Sequence, residues 1–395
     1  MPNMPPTSIA GTELSQDLTA ECQWGGLDLI REISAEWRNL CEEGPCNQPF
    51  YRPEWIAAAV QAFAPTRKIL LITVRLGNRL RAVLPLWQEK SYLCGIPFTR
   101  LRSTTNLDHS CRFDVIHGAG SNLREIARAT WSCLKELSGW DAIELTNVPA
   151  GAVTEYLLGC AERERQHVAQ FEHVRTPFMM LEGFKADGDR TQFARSSRLR
   201  NNLRKGWRKL EEGGQVRFRR LDYADPEALE KFYRLEEAGW KGKRGTAIAC
   251  SKQTREFYDR IACSASAFGY FSLYFLEVSE SLVAADFGFC LGGRYFPLKI
   301  AYDENYRSCG PGHLLVSATL LDAVRRGVSC YDWLGHHEEW KARWTSETWV
   351  HNNCFIFRNN AVGHALHAST VVRHMARTAT RRLARQIARR IGLPF

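Results

Sequence analysis

Between Tyr295-Phe-Pro-Leu-Lys-Ile-Ala-Tyr302 and His313-Leu-Leu-Val-Ser-Ala-Thr-Leu-Leu-Asp-Ala-Val-Arg-Arg326 stands Arg307-Ser308-Cys309-Gly310-Pro311-Gly312. The first run has the pattern of a strand and the second that of a helix, which puts the six residues at a strand–helix junction. Glycines there let the backbone come close to a ligand, and the helix start offers unpaired N–H groups and the positive end of the dipole. Such a junction suits a pyrophosphate, held mostly by main chain. The spacing Arg/Gln-x-x-Gly-x-Gly/Ala occurs only here in the chain. The plainer reading of the same residues is a turn before an ordinary helix.

Working outward, the pattern of elements repeats. In the first half, strands are predicted at Ile69–Arg75 and Arg79–Trp87 around Gly77-Asn78, then at Phe113–His117. A helix over Asn122–Leu137 and a strand over Trp140–Val148 follow. In the second half the same order runs Tyr270–Val278, Leu282–Cys290, Tyr295–Tyr302, helix His313–Arg326 and strand Val328–Leu334. Strand–helix–strand implies a right-handed crossover and one parallel pair on an otherwise antiparallel sheet. The first half's junction, Gly118-Ala-Gly120, lacks the preceding Arg or Gln. The expected division is a disordered start at 1–20, a first unit at 21–185, a basic connecting helix at 186–215, a second unit at 216–365 and a basic amphipathic helix at 366–395.

The 395 residues are long for one domain, and 45% hydrophobic with 24% charged residues is an ordinary soluble composition. No run approaches the roughly 18 apolar residues of a membrane span, and the first residues lack the pattern of a secretory signal. Thirteen cysteines without a Cys-x-x-Cys pair read as reduced thiols, with neither a disulfide framework nor a zinc site, and the expected compartment is the cytoplasm. The net charge of +10 is concentrated in two places. Residues 191–213 hold seven cations against Glu211 and Glu212, and residues 371–395 hold seven arginines and no acid. At ~100° per residue the tail places Met375, Ala376, Ala379, Leu383 and Ile387 on one face. Contact with an anionic membrane at its inner face, docking on the chain's own body, and nucleic-acid binding are the three readings of that tail. Nucleic acid is the least favoured, since Trp207 is the one aromatic among the cations of the first basic segment.

The junction resembles the acyl-CoA pyrophosphate loop of the GNAT acyltransferase superfamily. Further stretches are similar to its CelD/BcsL-like, cellulose-biosynthesis-associated branch: Tyr302-Asp-Glu-Asn-Tyr306, Tyr331-Asp332-Trp-Leu-Gly335 and Trp340-Lys341-Ala-Arg-Trp344. Asn202-Leu-Arg-Lys205, Trp240-Lys-Gly-Lys-Arg-Gly245, Pro49-Phe-Tyr-Arg-Pro-Glu-Trp55 and Leu84-Pro-Leu86 extend the likeness over about residues 25–360. The resemblance implies an α/β fold of tandem GNAT-like domains with mixed sheets flanked by helices, related to Fem-type transferases. The C-terminal copy is then the active one, with acyl-CoA as co-substrate held by Arg307, Ser308, Cys309, Gly310, Gly312 and His313.

Transfer from a thioester to an amine needs a deprotonated nucleophile, positioning and stabilisation of an oxyanion. Gly335-His336-His337-Glu338-Glu339-Trp340-Lys341 follows the last predicted strand, so Glu338 or His337 is the candidate general base and Lys341 a candidate to orient a carbonyl or acidic group. A solvated charged turn is the alternative reading of this segment. Adjacent histidines do not share a helical face, so no metal is expected. Where many family members place a tyrosine to protonate the departing thiolate, this chain has Trp340; Tyr331 or water is the substitute. Asp332 is expected to hold the strand end through hydrogen bonds. The expected acceptor is an amine on a lipid, such as a sphingoid base, or on an envelope or polysaccharide precursor. Two other classes are open: a Fem-like transferase using aminoacyl-tRNA, and a non-catalytic scaffold in envelope biosynthesis.

Overall fold

The computed structural model describes residues 18–104, 109 and 111–390. Thirteen strands form one mixed sheet: β1 (Leu18–Gly25), β2 (Ile69–Leu76), β3 (Arg79–Leu93), β4 (Ile96–Ser103), β5 (Ile116–His117), β6 (Ala142–Pro149), β7 (His167–Met180), β8 (Val216–Leu221), β9 (Phe271–Val278), β10 (Ser281–Leu291), β11 (Arg294–Tyr302), β12 (Cys330–Asp332) and β13 (Thr348–Phe357). Their order is β1-β2-β3-β4-β6-β13-β7-β12-β11-β10-β9-β8, with β5 a short stub on β3. Only β4–β6 and β11–β12 run parallel. Each parallel pair flanks a strand–helix–strand crossover, through Leu123–Glu136 in the first half and Pro311–Arg325 in the second. The duplication read from the pattern is therefore the architecture, with one difference. β7 and β13 end the two copies, and they are exchanged. β13 lies between β6 and β7, while β7 runs on to pair its last residues, Phe178–Met180, with β12.

Helices cover both faces. Ser197–Glu212 and Pro311–Arg325 bury Leu203, Trp207, Leu210, Leu314 and Leu315 against one face of the second half of the sheet. On the other face a single core joins the halves, where Trp55 packs edge-on against Phe257 and Phe289 at 5.2 and 5.9 Å between ring centroids. A core shared in this way makes the junction a packed interior. Buried Arg112 of the first half pairs with buried Asp332 at the end of β12 and also donates to Gln48 Oε1 at 2.7 Å and His351 Nε2 at 3.2 Å.

Three expectations need correction. The third strand of the first meander is β4, not Phe113–His117. Its alternating arginines, Arg100 and Arg102, disguise it, and they sit on the sheet only because Glu89 and Glu144 neutralise them at 2.7–3.6 Å. Cys22 and Cys133 are disulfide-bonded, joining β1 to the helix Leu123–Glu136, and eleven cysteines remain free thiols. At a sequence separation of 111, their spacing gave no hint. Finally, residues 18–20, expected to be disordered, open β1 and pair with Leu76, Arg75 and Val74 of β2; residues 1–17 lie outside the described residues. Among the described residues no helix is long and apolar enough to cross a membrane.

Candidate active site

A bulge and an early strand end open the sheet. Opposite β10, the register of β11 shifts between Phe287↔Lys299 and Gly288↔Pro297, so Leu298 is the extra residue. The parallel ladder to β12 consists of Arg294↔Cys330 and Tyr295↔Tyr331. β11 then continues to Tyr302, whereas β12 stops at Asp332. The wedge between them is a cleft of about 560 Å³ lined by Pro297–Ile300 and Tyr302 on one wall and by Trp333, Glu338, Trp340 and Lys341 on the other. Arg307, Gly310, Gly312 and His313 form its mouth.

The local sequence builds that mouth. Asp303 Oδ1 accepts from the Asn305 N–H at 2.9 Å and starts the 3-10 turn Glu304–Cys309. Gly310 ends it at φ 69°, ψ 51°, in the left-handed region that glycine adopts without a Cβ penalty. Pro311 then fixes the first helical φ and brings no N–H. His313 and Leu314 donate to the Gly310 carbonyl at 3.0 and 3.1 Å. No side chain caps this helix among the described residues, so the Gly312 amide and the dipole's positive end face the cleft. A Cβ at Gly312 would meet only the Tyr302 ring, at 3.6 Å. The fold thus does not need a glycine there, whereas a ligand drawn against the backbone does. The first copy differs in kind. Asn122 caps its helix by accepting from the Arg124 and Glu125 amides, and Arg81 occupies the junction by donating to Ala119 O at 3.1 Å and Ser121 Oγ at 3.2 Å.

Behind the loop a second cleft of about 420 Å³ shares Arg307, Gly310 and His313 and adds Asn202, Lys205, Lys209, Ser308 and Arg343. Gly206 makes it possible: a side chain there would collide with the Cys309 carbonyl oxygen, so only glycine lets the basic helix reach the loop. Lys209 Nζ donates to Ser308 Oγ at 2.7 Å. The Cys309 side chain turns into the core beside Leu203 and Leu314. All six expected donor-binding residues therefore line the two clefts, five with exposed or half-exposed groups and Cys309 as a buried residue.

His313 is fixed in one tautomer. The Trp344 indole N–H donates to His313 Nδ1 at 3.1 Å, so the ring proton sits on Nε2. Burial, with Arg343 nearby, pushes its pKa down to about 4. It is a neutral donor at the cleft and does not cap the helix with its side chain.

The four candidate catalytic residues divide. Glu338 lines the cleft, its Oε2 accepting from Trp340 Nε1 at 2.9 Å and lying 3.3 Å from Lys341 Nζ. His337 is exposed and is not part of the cleft lining. Lys341 is 7% exposed and also donates to the Leu334 and His336 carbonyls at 2.9 and 3.1 Å. Its three donors staple the loop together, with none left over to orient a substrate, which corrects that expectation. Burial lowers its pKa and Glu338 opposes the shift. Tyr331 is fully buried, its hydroxyl 3.1 Å from Thr319 Oγ1 behind the sheet, so it does not reach a leaving group. Asp332 holds the strand end as expected, accepting from the Leu334 amide at 3.2 Å as well as pairing with Arg112.

Two cleft residues escaped the sequence reading. Tyr302 stands beside Gly312 with its pKa raised, mainly by burial and then by Glu304, so it holds its proton. Its place as the last strand residue before the loop was the available signal. Trp333 lines the cleft, and its buried indole N–H has no partner among the described residues; nothing in its sequence context marks that.

Residues 197–342 match the model of a family described as an acetyltransferase (GNAT) domain. This segment is a GNAT domain. Its limits run from the basic helix to just past the Lys341 staple, so both clefts fall within it except for Arg343 of the rear one. No curated protein matches the chain in sequence. In structure, the GNAT domain and the first half together are similar to FemX, at 13% identity and a TM-score of 0.57 over 85% of this chain and 98% of that one. They are also similar to the C-terminal domain of a putative lysylphosphatidylglycerol synthetase from Agrobacterium fabrum, at 8% identity, TM-score 0.51, covering 87% of this chain and 97% of that one. L-PGS from Bacillus licheniformis gives 10% identity and TM-score 0.51, with 84% and 92% covered. At these identities the likeness shows a shared fold, a GNAT-like unit in tandem.

Proposed function

We propose that the protein is an acyl-CoA-dependent N-acyltransferase whose donor enters the wedge between β11 and β12, pyrophosphate at the Arg307–Gly312 loop. The observation that carries this reading is the contrast between the two equivalent helix starts. One is uncapped at the mouth of a cleft, and the other is closed by Asn122 and Arg81. A thioester laid along β11 would bring its carbonyl carbon toward Glu338. Glu338 takes a proton from the incoming ammonium, directly or through water, and the neutral amine nitrogen attacks that carbon. The His313 Nε2–H and Trp333 Nε1–H are donors available to the developing oxyanion. As the carbon–sulfur bond breaks, the thiolate takes the Tyr302 proton, and the second proton of the attacking nitrogen passes through water to the tyrosinate and restores it. The acceptor is an amine on a lipid or on an envelope or polysaccharide precursor, and the aromatic walls formed by Trp240, Trp333 and Trp340 favour an amphiphile.

Calorimetry with CoA tests the donor site. The wild-type chain binds, and Arg307→Ala and Gly312→Trp each weaken binding at least about tenfold, the loss of one charge-assisted contact or of backbone access. Unchanged affinity in both variants refutes the placement. One observation favours a second donor, aminoacyl-tRNA: Lys205, Lys209 and Arg343 gather in the rear cleft. Binding of tRNA that falls steeply with salt, without CoA binding, would select it. A scaffold role predicts that Gly312→Trp leaves biological activity intact.

A further inference from the structure

The helix Ala361–Arg390 is thirty residues long, and among the described residues its packing on the body comes from its first half. Val362 and Leu366 pack with Ala142, Ala169 and Phe357, and the His374 ring stacks on Phe171 of β7 at 3.9 Å between centroids. On the other side of the helix Val372 and Met375 are 63% and 64% exposed, and Ala376 and Ala379 are exposed with them. The sequence continues this apolar line through Leu383 and Ile387, while Arg373, Arg377, Arg381, Arg385 and Arg389 recur every fourth residue away from it. Glu347 is the last acidic residue of the chain. Among the described residues no carboxylate pairs with Arg373, Arg377 or Arg382. Of the three readings of the tail, docking of its apolar face on the chain's own body does not match the exposed Val372, Met375, Ala376 and Ala379.

We propose that the segment from Met375 onward lies in the surface of an anionic bilayer, the apolar line in the acyl boundary and the arginines at the level of the phosphates. A second copy is a poor occupant, because two identical helices with seven cations and no acid repel. A nucleic acid would answer the charge and leave the apolar line in water. The position on the body gives the contact a use. Two residues along β7 from Phe171, at a bulge, His173 comes within 6.2 Å of His336 in the loop that carries Glu338. The helix thus leaves the body beside the cleft loop and would hold that loop near lipid-borne amines. The docking itself does not depend on which donor the GNAT domain uses.

The full chain, a chain ending at His374, and the Met375→Glu/Ala379→Glu variant are sedimented with vesicles of phosphatidylcholine alone and of phosphatidylcholine with phosphatidylglycerol. The full chain partitions at least about tenfold more onto the anionic vesicles, and less as salt rises. The other two lose this preference while keeping the circular dichroism spectrum and CoA affinity of the full chain. The proposal is overturned by equal partitioning of the full chain onto both vesicles, or by retained binding in the shortened chain. A tail-dependent doubling of mass in solution, or tail-dependent binding of an RNA oligonucleotide, overturns it when anionic vesicles are not bound.

Discussion

Glu338 and Tyr302 line one cleft, and their proposed roles as base and acid have distinct signatures. Glu338→Gln keeps the shape and the Trp340 contact but removes the proton acceptor, so kcat falls about 10²–10⁴-fold with CoA affinity unchanged. Tyr302→Phe lowers kcat with a thioester donor and is relieved by a donor whose leaving group needs no proton. Tyr331→Phe, buried behind the sheet, leaves kcat within about threefold and costs about 0.5–1.5 kcal/mol of stability for its hydrogen bond to Thr319. Steady-state kinetics on the three variants check this, and an active Glu338→Gln enzyme removes the base assignment. At this scale the sequence showed residue types better than directions. Glu338, His337 and Lys341 are neighbours in the chain, yet one faces the cleft, one faces water and one is spent on carbonyls. Only the loop's path separates them.

Among the elements, the basic helix Ser197–Glu212 and the loop it backs act as one unit. Gly206→Val would drive a branched side chain into the Cys309 carbonyl and Leu314. The helix must move off the loop, with an expected loss of about 1–3 kcal/mol for overpacking and a CoA affinity lowered more than by Lys209→Ala. Thermal melts and calorimetry on both variants measure this, and a Gly206→Val protein that binds CoA like wild type would mean that the helix does not set the loop. This helix, the meander β9–β11 and the crossover helices were legible because long runs kept one period. β4 was not, since its arginines are neutralised by partners from other strands. The glycine at 206 was hidden for a related reason: inside a helix it reads only as a weak point, until the element it touches is known.

For the whole molecule, burial of imidazoles sets an acid limit. His109 and His313 are pushed down to about 4 and His351 to about 3, in each case first by burial. Their native pKa values lie below the unfolded value near 6.5, so the stability they hold is complete above about 6.5 and is lost as pH falls and the unfolded chain takes up protons. Asp286 acts oppositely. Burial raises it to about 8, so its contribution is complete below about 3.8 and is lost as pH rises through about 8. His167 is shifted down with the three, and Asp114 is raised by burial as Asp286 is, so four imidazoles stand against two carboxylates. The unfolding free energy, and with it the urea midpoint, is expected to fall from pH 6.5 to 5 with a limiting slope of at most about 3 kcal/mol per pH unit. A midpoint that stays level or rises over that interval contradicts it.

The exchange of β7 and β13 has a further consequence, for how the chain comes into being. When the ribosome has made the first copy, the slot between β6 and β7 is still open. Its filling strand lies in residues 348–357, nearly two hundred residues downstream of β6. The nascent first copy must wait with exposed strand edges until almost the whole polypeptide has emerged, a state prone to association. Expressed alone, it should recruit a supplied β13 peptide or aggregate. The two copies are tied together by the history of their synthesis as well as by their shared interior.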